Sequence, residues 1–366
     1  MTQRIHGGPD ALGVPRFDFS TNSNACGPCP IAVSAVREAD ATHYPDASYA
    51  TLKQQLATFH GVEVQRVVLA GSASEFIFRF TAWIAQQDAS TGSARGKVCL
   101  PPHSYGDYTQ AAQAWGLGLT AQPDSVQLVW ACEPSSPLGG AHAGWPRWLT
   151  QAAPNPDTRF MTVCPELAQD LAGVLPAPLV LDRAYEPLRL SGTPTLSATQ
   201  LAQVWQLWTP NKALGLTGVR AAYAIAPQNA GDSVAALERL GASWPVGAHG
   251  VAMLQAWVQP GVQAWLAESL PILRDWKARQ CALLERLGWV CLPTDTPFFC
   301  ARPAPGCDLI QLRAAGIKLR DTASFGLPGM VRMSVQAPQA QEALAAALQG
   351  HGCHEGTVNG IAGCCY

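Results

Sequence analysis

Two short apolar runs that end in small or polar residues constrain the fold most strongly. Residues 126–132 (VQLVWAC) form a nearly continuous apolar strand, and residues 178–182 (PLVLD) form a second one that ends at Asp182. Strands that are buried on both faces are typical of parallel sheets covered by helices. Because open α/β sheets bind their ligands beyond the carboxyl ends of the strands, we expect Asp182 at a ligand site.

Length and composition narrow the class of protein. The chain has 366 residues, 48% of them hydrophobic and 14% charged, which favours a compact enzyme of two domains. Its net charge of -2 provides no basic field for nucleic acid or anionic lipid. The sequence contains no membrane-length apolar run and no signal-peptide core. The twelve cysteines are therefore interpreted as reduced, mostly buried thiols of a cytoplasmic protein.

One stretch, residues 207–223 (LWTPNKALGLTGVRAAY), carries an unusual lysine. Lys212 is one of only five lysines, and it lies between a hydrophobic run and a glycine-containing turn. Partial burial there favours the neutral, nucleophilic form of an amine. Lys212 is therefore the candidate for covalent catalysis, the alternative being a loop lysine with a chance arginine partner.

This stretch resembles the Ser-x-Ser-Lys-x-x-Gly-Leu-x-Gly-x-Arg signature of the pyridoxal-phosphate (PLP) aminotransferases of fold type I. Within that family it is most similar to the branch of histidinol-phosphate aminotransferase and threonine-phosphate decarboxylase. The resemblance implies that Lys212 carries PLP as a Schiff base. It also implies that the cofactor phosphate is held by Thr209, Asn211 and Arg220.

Other segments match motifs of the same family in the same order. A strand followed by AGSASE and an apolar helix matches the phosphate-binding turn, which implies roles for Ser72, Ala73 and Ser74, although a plain helix N-cap gives the same pattern. The PHSYGDY segment makes Tyr105 the candidate that stacks on the cofactor ring. The DRAY segment implies that Asp182 faces the pyridine nitrogen and that Tyr185 bonds the phenolate oxygen.

Two segments concern the partner subunit and a departure from the family. The HYPD loop makes Tyr44 the candidate that reaches the cofactor phosphate of a second subunit. The family reads Asn-Pro-x-Asn-Pro-Thr-Gly where this chain reads EPSSPLG, so Glu133 and Ser136 replace two asparagines. Ser136 then takes the place of the asparagine that donates to the phenolate oxygen.

The C-terminal third contains two arginines that match family positions. Val331-Arg332-Met-Ser implies that Arg332 binds the substrate carboxylate, and Gly316–Asp321 implies that Arg320 helps to bind a distal phosphate or carboxylate. A salt bridge at a strand end is the alternative for Arg332. The tail contains Cys353, His354, Cys364 and Cys365, whose spacing fits no zinc pattern, so no metal is predicted.

We predict a three-layer α/β fold of the aspartate-aminotransferase type with a mostly parallel sheet, plus a smaller α+β domain. The predicted units are an N-terminal arm, a large domain, a linking helical segment, a small domain and a flexible tail: 1–30, 31–245, 246–286, 287–349 and 350–366. Helical spacing in 248–286 predicts breaks near Pro260 and Pro271.

The predicted function is PLP-dependent transamination of an amino acid or phosphorylated amino compound, as in histidinol-phosphate aminotransferase. The His-Gly-Gly start favours an alternative, L-threonine-O-3-phosphate decarboxylase of cobalamin biosynthesis. Glu133 and Ser136 leave a third possibility open, a PLP-binding protein with little turnover. The expected partners are small-molecule amino donors and acceptors and a second copy of the chain, not nucleic acid or membrane.

Overall fold

The computed structural model describes residues 6–90, 96–123, 125–141 and 177–351. Within them the helices are α1 Pro30–Arg37, α2 Ala50–His60, α3 Ala73–Ser90, α4 Gly106–Ala114, α5 Ala198–Leu201, α6 Gly231–Arg239, α7 Ala248–Trp257, α8 Pro260–Arg286, α9 Leu309–Ala314 and α10 Pro338–His351. The strands are β1 Phe17–Asp18, β2 Val67–Ala70, β3 Lys97–Cys99, β4 Gly118–Thr120, β5 Leu128–Cys132, β6 Leu179–Asp182, β7 Trp205–Trp208, β8 Ala222–Ile225, β9 Val290–Cys291, β10 Phe298–Arg302, β11 Ile317–Lys318, β12 Arg320–Asp321 and β13 Val331–Ser334. Three 3-10 helices lie at Val64–Arg66, Glu186–Leu188 and Ala323–Phe325.

Seven strands form the central sheet in the order β2-β8-β7-β6-β5-β3-β4. β8 runs antiparallel to its neighbours β2 and β7, and the other neighbouring pairs are parallel. The carboxyl ends of β2, β3, β5, β6 and β7 therefore lie at one edge of the sheet. The loops that follow these strands carry most of the predicted site residues.

Helices cover both faces of this sheet, as the apolar strands require. On one face α3 and α4 pack with Phe76, Phe80 and Tyr108 against the sheet. On the other face α2, α7 and the first half of α8 pack around Tyr223 and Trp257. The three layers confirm the predicted α/β fold class.

A second sheet lies in the C-terminal third, in the order β12-β13-β10-β9, and all of its pairs are antiparallel. Its core includes Phe299 and Met333, and α10 packs on it through Leu344. The N-terminal strand joins this region, because β1 pairs in parallel with β11 and Phe19 lies in the same core. The N-terminal strand and the C-terminal third therefore meet beside the second sheet.

The helical segment between the sheets differs from the prediction at one proline. Pro260 begins α8 as expected, but Pro271 lies inside α8 without ending it. An interior proline costs about 3 kcal/mol. Leu266 and Leu273 are buried on either side of it, and burial stabilises each leucine by about 1.5–3 kcal/mol, so packing outweighs the lost hydrogen bond. Within the described residues no helix has the length and apolar character needed to cross a membrane.

Candidate active site

The centre of the candidate site is Asp182, the last residue of β6. It is 5% exposed, and it accepts hydrogen bonds from Tyr108 Oη at 2.8 Å and from the Ala184 N–H at 2.9 Å. Burial raises the pKa of Asp182, while the nearby positive charge of Lys212 and the two hydrogen bonds act against that rise. A buried carboxylate at a strand end, with a cation nearby, is arranged to face a positively charged group of a ligand.

Lys212 lies in the turn that follows the neighbouring strand β7. Its Nζ is 5.4 Å from the centre of the Tyr185 ring, and it makes no hydrogen bond or ion pair with any residue in the described parts of the chain. The backbone fixes this turn, because the Lys212 carbonyl accepts from the Asn24 N–H at 3.0 Å. The amine thus lies over the Tyr185 ring and close enough to Asp182 for its charge to act on that carboxylate.

Several buried polar atoms around this lysine have no hydrogen-bond partner among the described residues. They are Thr209 Oγ1 and Asn211 Oδ1, on the same turn, and Asn22 Oδ1. The Nδ2 of Asn22 donates to Tyr185 Oη at 3.3 Å. Buried polar groups are nearly always paired, so an unpaired group calls for an explanation. These atoms fit a polar cofactor such as PLP, which the family resemblance implies.

The predicted phosphate turn caps helix α3. Ser72 Oγ accepts from the Glu75 N–H at 3.0 Å, so the N-cap is present, and the N–H groups of Ala73 and Ser74 lie in the first turn, where no intrahelical partner exists. Ser74 Oγ lies 3.3 Å from Tyr105 Oη. The turn therefore combines a capped helix start with first-turn N–H groups suited to an anion, next to the stacking candidate Tyr105.

Arg332 of β13 reaches the loop that follows β5. Its Nη1 donates to Ser136 Oγ at 3.3 Å and its Nη2 to the Ser20 carbonyl at 2.9 Å, whereas its buried Nε has no partner in the part of the chain that the structure describes. Burial lowers the pKa of Arg332. Ser136 thus contacts the predicted carboxylate-binding arginine.

Arg320 lies opposite Arg332 in the register of β12 and β13. Both guanidinium groups lie over the Phe325 ring, at 4.9 Å for Arg320 and 5.5 Å for Arg332. Burial and the charge of Arg332 lower the pKa of Arg320 to about 10. Two cations held this close are suited to bind an anion.

Two predicted residues lie outside this buried group. Tyr44 is 79% exposed, and Arg220 is exposed and lines a cavity of about 350 Å³ together with Gly218 and His249. Neither forms a hydrogen bond or ion pair with a described residue. The remaining predicted residues gather at the carboxyl edge of the central sheet and at β12 and β13.

Sequence reasoning missed several contacts. Tyr108, the second tyrosine of the PHSYGDY segment, holds Asp182, and the motif itself was a signal for it. His103 Nδ1 lies 2.7 Å from the Phe325 carbonyl and joins the loop after β3 to the second sheet. Glu133 Oε1 accepts from Arg189 at 3.2 Å and from the Thr195 N–H at 2.8 Å. Glu133, at the position of the family's asparagine, therefore forms a buried ion pair with Arg189.

The predicted cysteine-rich tail lies outside the described residues apart from 350 and 351. Within the described ranges, no group of three or more histidine, cysteine, aspartate or glutamate side chains is arranged to hold a metal ion.

Solved structures with the same architecture identify the fold. Histidinol-phosphate aminotransferase from Sinorhizobium meliloti, in complex with pyridoxal-5'-phosphate, superposes with a TM-score of 0.72 at 20% identity, covering 95% of each chain. L-threonine-O-3-phosphate decarboxylase from Porphyromonas gingivalis superposes with a TM-score of 0.70 at 18% identity, covering 91% of this chain and 98% of the other. The protein has the fold of the fold-type-I PLP enzymes, as predicted.

Sequence comparison then shows the family. Residues 169–349 match the family described as aminotransferase class I and II. Histidinol-phosphate aminotransferase from Ruegeria sp. (strain TM1040) is 30% identical over 348 residues, covering 90% of this chain and 89% of the relative. The corresponding protein of Jannaschia sp. (strain CCS1) is 28% identical over 341 residues, with 90% and 89% covered. The chain belongs to the class I and II aminotransferases, which confirms the predicted family and enzyme class.

Proposed function

We propose that this protein is a PLP-dependent aminotransferase that acts on a phosphorylated amino compound, as its histidinol-phosphate aminotransferase relatives are named to do. One observation carries the proposal. Asp182 and Lys212 follow adjacent parallel strands, and the charge of the lysine acts on the buried carboxylate. A nucleophilic amine and a buried anion at one sheet edge are the two groups that this chemistry needs.

The unpaired atoms around the site suggest how the cofactor is held. The phosphate is assigned to the turn of Ser72, Ala73 and Ser74, to Thr209, Asn211 and Arg220, and to Tyr44 of a second subunit. Tyr105 would stack on the ring, Tyr185 and Ser136 would bond its phenolate oxygen, and Asp182 would face its nitrogen. When bound, PLP withdraws electrons from the substrate carbon that carries the amino group.

The residues of this chain perform the remaining work. Lys212 Nζ would hold the cofactor through its aldehyde, and the same amine would act as the base that takes a proton from the substrate carbon and as the acid that gives it back to the reacting group. Burial raises the pKa of Asp182 and the positive charge of Lys212 acts against that rise. A protonated ring nitrogen facing this carboxylate would add a second positive charge that favours its anionic form.

The substrate is assigned to the two arginines of the second sheet. Arg332 offers an Nε that has no partner among the described residues, and its Nη1 contacts Ser136. Arg320 adds a second cation over the same Phe325 ring. A carboxylate or phosphate binds such a pair through charge-assisted hydrogen bonds. A phosphorylated substrate carries the negative charge that complements these two arginines.

Decarboxylation of L-threonine-O-3-phosphate is the second candidate. The His-Gly-Gly arm lies against the site, since the His6 ring is 6.2 Å from the Tyr105 ring. The P. gingivalis decarboxylase shares the fold. Incubation with threonine phosphate decides between the two: CO₂ release supports the decarboxylase, and glutamate-dependent amino transfer to an oxo acid supports the aminotransferase.

We also propose the assembly, location and domain division. The exposed Tyr44 and Arg220 favour a homodimer with shared sites, and the absence of a basic field in the sequence favours small-molecule substrates over nucleic acid. A cytoplasmic enzyme is consistent with its biosynthetic relatives. The seven-stranded sheet corresponds to the proposed large domain, and the four-stranded sheet to the small one.

Borohydride reduction tests the central assignment. Reduction fixes PLP on its lysine, and peptide mass mapping is expected to find the label on Lys212. Lys212→Ala is expected to remove both the label and the visible absorbance, whereas Lys53→Ala, at a surface salt bridge with Glu238, retains both. A label on another residue would overturn the proposal. Full absorbance that no amino donor changes would support the binding protein with little turnover instead.

A further inference from the structure

Tyr44 is a highly exposed aromatic residue that is nevertheless held in place. Its ring is 79% exposed and stacks on the ring of Trp244, with centroids 4.6 Å apart and an interplanar angle of 26°. Trp244 is itself 43% exposed. Two stacked aromatic rings open to solvent mark a surface that another molecule covers.

Three hydrogen bonds join the loop that contains Tyr44 to the segment 244–246. Trp244 Nε1 donates to the Pro45 carbonyl at 2.9 Å. Tyr49 Oη donates to the Val246 carbonyl at 2.7 Å and accepts from the Val246 N–H at 3.4 Å. All three join the loop to the same short segment, and the stack on Trp244 adds a contact to the Tyr44 ring itself.

The segment 244–246 also lies behind the phosphate turn of its own subunit. A Cβ added to Gly71 would lie 2.8 Å from the Pro245 carbonyl oxygen, so that carbonyl packs directly on the residue before Ser72. A Cβ on Gly250 would lie 2.7 Å from Val246 and 3.0 Å from the Arg220 carbonyl. The segment 244–246, which holds the Tyr44 loop, therefore packs on the segments that are proposed to bind the cofactor.

We propose that Trp244 is a positioning residue that acts across the dimer: it presents Tyr44 to the cofactor phosphate of the second copy of the chain. This inference rests on the proposed function, in which Tyr44 completes the partner's site. The stack sets the ring direction, and the indole N–H holds the loop backbone at Pro45. Loss of Trp244 in one subunit thus weakens the cofactor site of the other subunit.

Hybrid dimers test this, with cofactor affinity as the readout. One chain carries Trp244→Ala and the other Lys212→Ala; they are co-expressed with different affinity tags and purified as the pair. Only the subunit with Lys212 gives the absorbance of lysine-bound PLP, so a PLP titration reports that site alone. Losing one hydrogen bond and one ring contact is expected to raise the PLP Kd of the Trp244→Ala homodimer about tenfold.

In the hybrid, the reporting site receives Tyr44 from the chain with intact Trp244, so its Kd is expected to return to the wild-type value. A hybrid Kd equal to that of the Trp244→Ala homodimer overturns the proposal, because Trp244 would then act within its own subunit. A Trp244→Ala homodimer with wild-type Kd overturns it as well. Trp115→Ala, which removes another exposed indole, is the matched control and leaves the Kd unchanged.

A parallel hybrid of Tyr44→Phe with Lys212→Ala separates this inference from the proposed function. If Tyr44→Phe is rescued in its hybrid and Trp244→Ala is not, Tyr44 acts across the dimer and only the role of Trp244 is wrong. If Tyr44→Phe is not rescued either, the assignment of Tyr44 to the partner's site is wrong. Should Trp244→Ala fail to form dimers by light scattering, Trp244→Phe retains the stack, loses the bond to Pro45 and shows a smaller rise in Kd that the hybrid restores.

Discussion

Lowering the pH from 7 to 5 is expected to destabilise this protein through His60, the last residue of α2. Burial is the main cause that lowers the pKa of His60 from 6.5 to about 4, and the positive charge of Arg183 adds to it. The ring lies between Phe59 and Trp208, and its Nε2 is 2.8 Å from Tyr223 Oη. The fold therefore holds this histidine neutral.

The direction of this change in stability follows from which state of the protein binds the proton. Between pH 6.5 and about 4 the unfolded chain protonates His60 and the folded chain does not, so the free energy of unfolding falls as the pH falls through this range. With these two pKa values, the loss between pH 7 and pH 5 is about 2 kcal/mol, rising to about 3 kcal/mol below pH 4.

Urea unfolding at pH 7 and pH 5 measures this effect. His60→Gln keeps a polar partner for Tyr223 but does not titrate, so we expect its free energy of unfolding to fall by about 2 kcal/mol less than that of the wild type between the two pH values. His249→Gln, at an exposed histidine, is the control and follows the wild type. If His60→Gln and the wild type lose the same stability, His60 is not held neutral and the reasoning is refuted.

Three further predictions concern the site. Asp182→Asn is expected to lower kcat by about 100-fold or more in steady-state assays, because the buried charge at the ring nitrogen is lost; activity near the wild-type level would contradict its role. Arg332→Lys is expected to raise the KM of an anionic substrate by about 10- to 100-fold, since lysine lacks the fork; an unchanged KM would reassign this residue. Gly139→Ala is expected to lower the thermal unfolding midpoint, because φ is +74° and the new Cβ would lie 2.0 Å from Thr294 Oγ1, whereas Gly140→Ala has open space and should not.

Local sequence patterns predicted the parts of the site that lie within one strand and its loop. Asp182 follows an apolar strand and Lys212 follows the next one, so both could be assigned from the order of residues alone. The PHSYGDY segment also contained Tyr108, but nothing local indicates that its hydroxyl bonds Asp182 across 74 positions. The chemistry was therefore predictable where neighbours in sequence are neighbours in space.

Contacts between distant segments were not predictable in this way. The bond from Arg332 to the Ser20 carbonyl joins residues 312 positions apart, and His103 meets the Phe325 carbonyl across 222 positions. Glu133 was interpreted only as a lost asparagine, since its partner Arg189 lies 56 positions away on another loop. Such pairings depend on the arrangement of the two sheets, which single-sequence patterns do not encode.

The parallel pairing of β1 with β11 has a consequence for how the chain is made. Phe17 and Asp18 are synthesised about 300 residues before their partners Ile317 and Lys318. Until then β1 has no strand to pair with, and the Ser20 carbonyl cannot accept its hydrogen bond from Arg332. Completion of the substrate side is thus a late event of biosynthesis, and a nascent chain stalled before residue 317 is expected to leave its amino-terminal arm open to protease.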